Sequence, residues 1–131
     1  MIIELTPDNF FDNVHKEGPL HVVMHYGVTC GPCKNTMPHY ELLVQHFVEY
    51  DIKNVKFYKF HHWQEEYKGF IEQNNLKTKG VPTFRYYYMG EKLHEVTESY
   101  KDPNDMKKVV MDVIQGIEQT IGSFDLYATT S

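Results

Sequence analysis

The first part of the chain alternates short apolar runs with segments that carry the signals of helices. Ile2 to Leu5 is a short apolar run, and Leu20 to Tyr26 is a longer, mostly apolar run of strand length. Between them, Thr6-Pro7-Asp8 places a cap-type residue, a proline and an acid in the order that a helix start prefers. The pattern predicts a strand, a helix from about Pro7 to Lys16, and a second, central strand.

The middle of the chain repeats this alternation. After a turn from Gly27 to Gly31, apolar positions recur at helical spacing to about Tyr50, which predicts a helix with Pro38 in its interior. Because proline removes a helical hydrogen bond and clashes with the preceding turn, we expect a kink there. Val55 to Phe60 is a third predicted strand, and Gln64 to Asn74 is a predicted helix.

The last third of the chain changes to a hairpin followed by a helix. Val81 to Tyr88 is rich in aromatic and β-branched residues, and Lys92 to Glu98 follows it after a tight turn at Met89-Gly90. Asp102-Pro103 repeats the helix-start signal, and apolar residues at helical spacing continue to Ile121. We expect an antiparallel hairpin and a final amphipathic helix.

These elements follow one another in the order β-α-β-α-β-α-β-β-α. Strands separated by helices imply parallel crossovers, whereas two strands joined by a tight turn imply an antiparallel pair. The prediction is an α/β fold: a central mixed β-sheet with helices on both faces. Residues 1–122 form one domain, and residues 123–131, which end in small polar side chains, form a loosely held C-terminal tail.

Composition and charge exclude several classes of function. The 131 residues carry a formal net charge of -5 and contain no Lys/Arg-rich run, so we expect no nucleic-acid partner. The sequence shows neither a signal-peptide pattern nor an apolar run long enough to span a bilayer, so we expect no membrane association. We therefore predict a cytoplasmic protein, in the cytoplasm of a host if a virus carries the gene.

The two cysteines, Cys30 and Cys33, are separated by two residues and are candidates for half of a metal site or for a redox pair. Four-coordinate zinc needs two further ligands, and the sequence has no second cysteine pair. His61 and His62 are neighbours at a strand end, where adjacent side chains point to opposite faces, so they are poorly placed to share an ion. We therefore predict a redox pair and no metal site.

A redox pair of this kind needs one cysteine with a stabilised thiolate, because the thiolate is the species that attacks a disulfide. Cys30 lies at the start of a predicted helix, where free backbone N–H groups and the helix dipole stabilise an anion. Cys33 lies one turn further on, within reach of a mixed disulfide formed by Cys30. We predict Cys30 as the catalytic nucleophile and Cys33 as the resolving cysteine, with Gly31 and Pro32 shaping the loop between them.

Two stretches of the sequence carry a resemblance to a known family. Cys30-Gly31-Pro32-Cys33-Lys34, followed by Pro38, resembles the active-site stretch of the thioredoxin family. Val81-Pro82-Thr83-Phe84 resembles the cis-proline loop of that family, and Gly90 matches its hairpin glycine. The resemblance covers about Ile2 to Ile121, and it implies a thioredoxin fold and a protein-disulfide reductase without a bound cofactor. It also implies disulfide-containing protein substrates and a thioredoxin reductase as electron donor, and we expect a monomer.

The same resemblance assigns roles to residues around the cysteines. In the family, the cis-proline loop abuts the active-site sulfurs and pairs with the substrate chain, so Val81 and Pro82 are predicted to bind substrate. Thr29, also assigned to substrate binding, stands where typical members have a tryptophan before the first cysteine. Trp63 follows a predicted strand at its carboxyl end, and it either replaces that aromatic residue or has a plain packing role.

A further departure from the family concerns the proton of Cys33. Met24 stands where typical members keep a buried aspartate that helps to deprotonate the resolving cysteine, while the lysine that accompanies this aspartate corresponds to Lys59. A buried lysine without its partner tends towards the neutral form, so Lys59 is a candidate for proton transfer. It can equally turn outward and stay charged, which leaves His61 or water as the base.

Two other functions stay open on the sequence. A glutaredoxin-like or oxidase-like enzyme would use a dithiol on the same scaffold at a different potential. An interaction module whose thiols are redox-incidental would dock onto a larger assembly, and it would also accommodate the loss of the aspartate and the tryptophan. Because Gly31-Pro32 resembles thioredoxin rather than glutaredoxins or oxidases, we favour the reductase.

Overall fold

A computed structural model describes residues 1–129 and has, within that range, five strands and four α-helices. The strands are β1 (Ile2–Leu5), β2 (Leu20–Tyr26), β3 (Val55–His61), β4 (Thr83–Tyr88) and β5 (Glu91–Thr97). The helices are α1 (Phe10–Val14), α2 (Gly31–Glu49), α3 (Lys68–Gln73) and α4 (Pro103–Ile121), and a 3-10 turn at Glu65–Tyr67 precedes α3. This succession confirms the predicted order of elements.

The sheet has the strand order β1-β3-β2-β4-β5 and is mixed, as predicted. β1, β3 and β2 run parallel to one another, whereas β4 is antiparallel to β2 and β5 is antiparallel to β4. β2 lies in the centre, and six of its seven residues are buried because both faces of the sheet are covered. The carboxyl ends of β2 and β3 meet at one edge, and the loops that leave them there carry Cys30 and Trp63.

Helices cover both faces of the sheet, which confirms the α/β prediction. On one face, α2 and α4 pack over a core that includes Val22 and Met24 of β2. On the other face, α1 and α3 contribute to a smaller core that includes Val23 and Phe60. Successive residues of β2 therefore enter different cores, as the alternation of side chains along a strand requires. No helix among residues 1–129 is both long and apolar enough to cross a membrane.

The first helix is shorter than predicted. It covers Phe10–Val14 instead of the expected Pro7 to Lys16. The backbone N–H of Thr6 donates to the side chain of Asn9 at 2.8 Å, and the N–H of Asn9 donates to the carbonyl of Thr6 at 3.2 Å. These two bonds close a turn over residues 6–9, so the prediction that the helix starts at Pro7 is wrong.

Two other elements differ from their predictions in extent. The helix expected from Gln64 to Asn74 is divided into the 3-10 turn and α3. β4 begins at Thr83 instead of Val81, and Pro82 has no N–H for the ladder of hydrogen bonds. Pro38 lies inside α2, and a kink at that position stays a prediction.

The described part of the predicted tail is held against the domain. The carbonyl of Leu126 accepts hydrogen bonds from the backbone N–H groups of Lys53 and Asn54, both at 3.0 Å, and the ring of Phe124 packs on Tyr88. The expectation of a loosely held tail is therefore wrong for residues 124–126, because their backbone and apolar groups find partners on the domain. Residues 130 and 131 of the predicted tail lie outside the described residues.

Candidate active site

The cysteine pair lies where the central strand leads into α2. Cys30 immediately precedes α2, and Cys33 lies in its first turn. The two sulfur atoms form a disulfide, and the backbone N–H of Cys33 donates to Cys30 Sγ at 3.1 Å. Both cysteines are buried, with 5% of Cys30 and 2% of Cys33 exposed, whereas Gly31 and Pro32 between them are exposed. An N–H group and a helix start directed at Cys30 Sγ stabilise a negative charge on that sulfur.

The loop before β4 lies against the first cysteine. Cys30 Sγ is 3.6 Å from the carbonyl oxygen of Val81, although the two residues are 51 positions apart in the chain. The peptide bond between Val81 and Pro82 is cis. Pro82 is buried and Val81 is half-buried. The fold thus brings the carbonyl of Val81 to the sulfur of the predicted nucleophile, with Pro82 next to it in the chain.

A second segment holds the active-site turn from another side. Ser99 Oγ donates to the carbonyl of Pro32 at 3.3 Å and lies 3.2 Å from Thr36 Oγ1. Thr36 Oγ1 also accepts a hydrogen bond from the backbone N–H of Tyr100 at 3.1 Å. Nothing local in the sequence signals this contact, because Ser99 and Pro32 are 67 positions apart.

Trp63 covers the loop that leads from β2 to Cys30. Its ring lies so close to Gly27 that a Cβ atom added at Gly27 would clash with it. Yet 53% of Trp63 is exposed, and Val28 and Thr29 are exposed on the same loop. The indole therefore packs on the loop with one part of its surface and faces solvent with the rest. Its packing role is a property of the structure, and its role in substrate binding stays a prediction.

Gly27→Ala is expected to displace Trp63. The added Cβ overlaps the ring, so we expect the free energy of unfolding to fall by about 1–3 kcal/mol. The emission maximum of Trp63, the one tryptophan of the chain, should shift to longer wavelength as the ring gains exposure. Gly116→Ala in α4 is the matched control, because a Cβ there meets nothing within 4 Å and alanine favours a helix by about 1 kcal/mol. Unchanged emission and stability in Gly27→Ala would contradict the contact.

Lys59 has a carboxylate partner that is not apparent from the sequence. It lies between Met24 of β2 and Glu4 of β1 in the register of the sheet. Its Nζ is 4.0 Å from Glu4 Oε1, and the hydroxyl of Tyr26 donates to the same oxygen at 2.7 Å. The Lys59 side chain is 34% exposed. Of the two alternatives for Lys59, the structure excludes a buried lysine without a partner, because Glu4 pairs with it from the neighbouring strand. The proton-transfer role of Lys59 stays a prediction.

Met24 packs in the apolar core beneath the cysteine pair and brings no ionisable group to it. It is fully buried and belongs to the same apolar core as Cys30 and Cys33. The nearest carboxylate across the register is that of Glu4, on the far side of Lys59.

Tyr26 stays protonated at neutral pH, because burial and the hydrogen bond to Glu4 raise its pKa above its usual value.

Known proteins share both the sequence pattern and the fold. A family model described as Thioredoxin matches residues 1–112. The chain belongs to the thioredoxin family. Thioredoxin f2 of Chlamydomonas reinhardtii is 26% identical, with a TM-score of 0.66 and coverage of 88% of this chain and 96% of that one. The short form of spinach chloroplast thioredoxin f is 24% identical, with a TM-score of 0.71 and coverage of 86% and 92%, and is similar in fold. No curated protein sequence matches the chain.

Family membership has a direct chemical consequence. A thioredoxin domain with a cysteine pair that forms a disulfide is a thiol–disulfide oxidoreductase, and this chain is one. The thioredoxin fold implied by the sequence resemblance is confirmed.

This thioredoxin also buries a polar cluster on the α1 and α3 face of the sheet, which no sequence pattern predicted. Arg85 of β4 is 2% exposed, and His25 of β2 is fully buried. Arg85 Nη1 donates to His25 Nε2 at 3.3 Å. Because arginine can only donate, His25 is neutral with its proton on Nδ1. Burial, reinforced by the positive charge of Arg85, holds the pKa of His25 well below its usual value.

The two adjacent histidines at the end of β3 diverge, as predicted from strand geometry. His61 stacks on Tyr26, with ring centres 5.3 Å apart, whereas His62 packs on His25, also at 5.3 Å. Burial and the nearby Arg85 lower the pKa of His62. Within residues 1–129, no three His, Cys, Asp or Glu side chains are grouped so as to hold a metal ion.

Proposed function

We propose that this thioredoxin is a protein-disulfide reductase that acts through Cys30-Gly31-Pro32-Cys33. The observation that carries the proposal is the setting of Cys30 Sγ, which lies at the start of α2, accepts the N–H of Cys33 and faces the carbonyl of Val81. A helix start favours the thiolate, and the thiolate is the nucleophile of thiol–disulfide exchange. Cys33, one turn away, supplies the second thiol of a dithiol pair.

The proposed reaction has two exchange steps. The Cys30 thiolate attacks one sulfur of the substrate disulfide, so a mixed disulfide forms and the other substrate sulfur leaves as a thiolate that takes up a proton. Cys33 then loses its proton and attacks Cys30 Sγ, which releases the second substrate thiol and closes the Cys30–Cys33 disulfide. Two electrons pass from the dithiol to the substrate, sulfur to sulfur, so the exchange requires no bound cofactor. Lys59 is the proposed group for the proton of Cys33, which it can accept only after giving its own proton to the Glu4 carboxylate beside it.

The surface around Cys30 suits a polypeptide substrate. Because only 5% of Cys30 is exposed, a disulfide has to reach the sulfur across the surface of the surrounding loops. Val81 offers backbone groups beside the sulfur, and Pro82 shapes that loop. Thr29 and Trp63 offer exposed side chains on the neighbouring loops. We therefore assign substrate binding to these four residues and propose disulfide-containing proteins as substrates.

An external donor has to reduce the oxidised pair after each turnover. By analogy with the family we propose a thioredoxin reductase for this role. Two cysteines separated by two residues are typical of a redox pair in a reducing compartment, so we propose that the protein works in a cytoplasm. We also propose that it acts as a monomer, because both reacting thiols lie in one chain.

Reduction of insulin driven by dithiothreitol tests the proposed function. We expect the wild-type protein to accelerate precipitation of the released insulin chains, and the double variant Cys30→Ser/Cys33→Ser to leave the rate at that of dithiothreitol alone. Serine keeps the approximate size of the side chain and removes the redox chemistry, so loss of activity in a folded variant reports on the thiols. A wild-type protein no better than the double variant would exclude the reductase and favour an interaction module.

A further inference from the structure

Arg85 occupies a position at which a cation needs strong compensation. It lies in the interior of β4, paired with Val23 of β2 on one side and with Glu95 of β5 on the other. Its side chain is 2% exposed. A buried charge persists only when hydrogen bonds and an opposite charge replace the water that it loses. The groups that bond to Arg85 therefore show which segments of the chain it holds in place.

The guanidinium of Arg85 joins β5 to the loop that follows α3. Its Nε donates to Glu95 Oε1 at 2.7 Å, which supplies the opposite charge. Its Nη1 donates to the carbonyl of Leu76 at 2.8 Å, and its Nη2 donates to the carbonyl of Lys77 at 2.9 Å. Burial works to raise the pKa of Glu95, but the hydrogen bonds from Arg85 and Lys92 outweigh it and hold that pKa below its usual value. The arginine fork thus binds two consecutive carbonyls of one loop.

This loop, residues 76–82, is the segment that reaches the active site. Thr83 Oγ1 holds its far end, donating to the carbonyl of Gly80 at 2.6 Å. Between these two tethers and β4 lies Val81, whose carbonyl oxygen is 3.6 Å from Cys30 Sγ. Side chains of β4 therefore fix the loop whose Val81 backbone faces Cys30 Sγ.

We propose that Arg85 is a positioning residue for reduction of protein disulfides. By holding the carbonyls of Leu76 and Lys77, it keeps the 76–82 loop in the position at which the backbone of Val81 meets the polypeptide around the substrate disulfide. The inference rests on the proposed function, since it concerns the same site. A small disulfide has no polypeptide to align, so its reduction depends on Cys30 and not on the loop. Arg85 consequently affects the two kinds of substrate differently.

Arg85→Met tests the inference because methionine keeps an unbranched side chain and removes all the donors. We expect KM for insulin to rise roughly 10- to 100-fold with little change in kcat, because misplacement of about 1 Å can cost that much. The rate with 5,5′-dithiobis(2-nitrobenzoate), a small aromatic disulfide, should stay within about twofold of wild type. Arg85→Lys should give an intermediate KM, since an ammonium group lacks the fork that reaches both carbonyls. Lys92→Gln is the matched control, because Lys92 bonds the same Glu95 carboxylate from an exposed position and does not contact the 76–82 loop, so both rates should stay at wild type.

Hydrogen exchange supplies a readout that does not depend on catalysis. In Arg85→Met, the amides of residues 76–81 should exchange faster than in wild type, while those of β2 keep their rates. An unchanged KM for insulin in a folded Arg85→Met protein, or equal losses with insulin and the small disulfide, would overturn the inference. Should Arg85→Met fail to fold, the same measurements on Arg85→Lys decide. Should wild type reduce neither substrate, the proposed function fails, and unchanged loop exchange would then overturn the role of Arg85 separately.

Discussion

Cys30→Ser will abolish the turnover of protein disulfides, whereas Cys33→Ser will leave the first exchange step intact and block the second. Cys30 Sγ lies at the start of α2 and receives the N–H of Cys33, so it is the sulfur at which a thiolate is stabilised. Cys33 lies inside the first turn of α2 and is 2% exposed, so it reacts second, attacking Cys30 Sγ once that sulfur carries the substrate. We expect both variants to lose turnover by roughly 10³-fold or more, because each removes a group required in every cycle.

The two variants are distinguished by a single turnover. Mixed with excess 5,5′-dithiobis(2-nitrobenzoate), reduced Cys33→Ser should release one thionitrobenzoate per protein and retain the other as a stable mixed disulfide. Reduced Cys30→Ser should release thionitrobenzoate much more slowly. Mass spectrometry of the products identifies the modified cysteine. A Cys30→Ser protein that traps the reagent as fast as Cys33→Ser does would reverse the assignment of nucleophile and resolving cysteine.

Acidification from pH 7 to pH 5 will destabilise the protein through three histidines whose pKa values the fold lowers, His25 most of all. Burial and the positive charge of Arg85 hold the pKa of His25 well below its usual value, and the same two causes lower that of His62. Burial also lowers the pKa of His21, and its hydrogen bond to the carbonyl of Lys16 offsets this only in part. In the unfolded chain each of these imidazoles binds a proton below about pH 6.5.

The direction of the effect follows from proton binding. Below about pH 6.5 the unfolded chain binds more protons than the folded protein, so the free energy of unfolding falls as the pH falls. A histidine that stays neutral in the fold contributes up to about 1.4 kcal/mol per pH unit, and His25 is the main contributor. His21 and His62, whose pKa values are lowered less, contribute less than this each. Domains of this size are stable by about 5–15 kcal/mol, so the loss is large. Glu95, whose pKa is lowered in the fold, acts in the same direction but only at more acidic pH, because its stabilising contribution is lost below about pH 4.5.

Urea unfolding of the oxidised protein at half-unit steps between pH 5 and pH 7 measures this loss. His25→Phe should reduce the slope by about one proton, because the variant removes one buried imidazole and phenylalanine suits a site beside Phe10 and Phe60. His94→Gln is the control, since His94 of β5 is exposed. A free energy of unfolding that is constant over this range, or a His25→Phe protein with the wild-type slope, would contradict the assignment of a buried neutral His25.

The order of elements and the cysteine site could be predicted because both are encoded locally. Apolar residues at strand or helix spacing show which segments form strands and helices and which of their faces are buried. Cys30-Gly31-Pro32-Cys33 is contiguous, and the apolar spacing that follows it marks a helix start. The helix start at Thr6-Pro7 was wrong, although its signal is also local. The same cap-type residue and proline serve a tight turn equally well, and the side chain of Asn9 decided between the two.

The contacts that surround the site depended on the tertiary structure. Trp63 on Gly27, Ser99 on Pro32 and Val81 at Cys30 join segments that are distant in sequence, so no periodicity or spacing marks them. Lys59 was expected to lack a partner because the residue beside it on β2 is Met24, yet the register of the sheet places Glu4 of β1 on its other side. Only the packing of α3 and its loop against the sheet gives Arg85 its carbonyl partners. The sequence by itself determined the fold class and the reacting sulfurs, since these follow from local burial patterns and a contiguous motif. The tertiary structure decided how the sulfurs are surrounded, because hydrogen bonds and close contacts between distant segments exist only once the strands are in register.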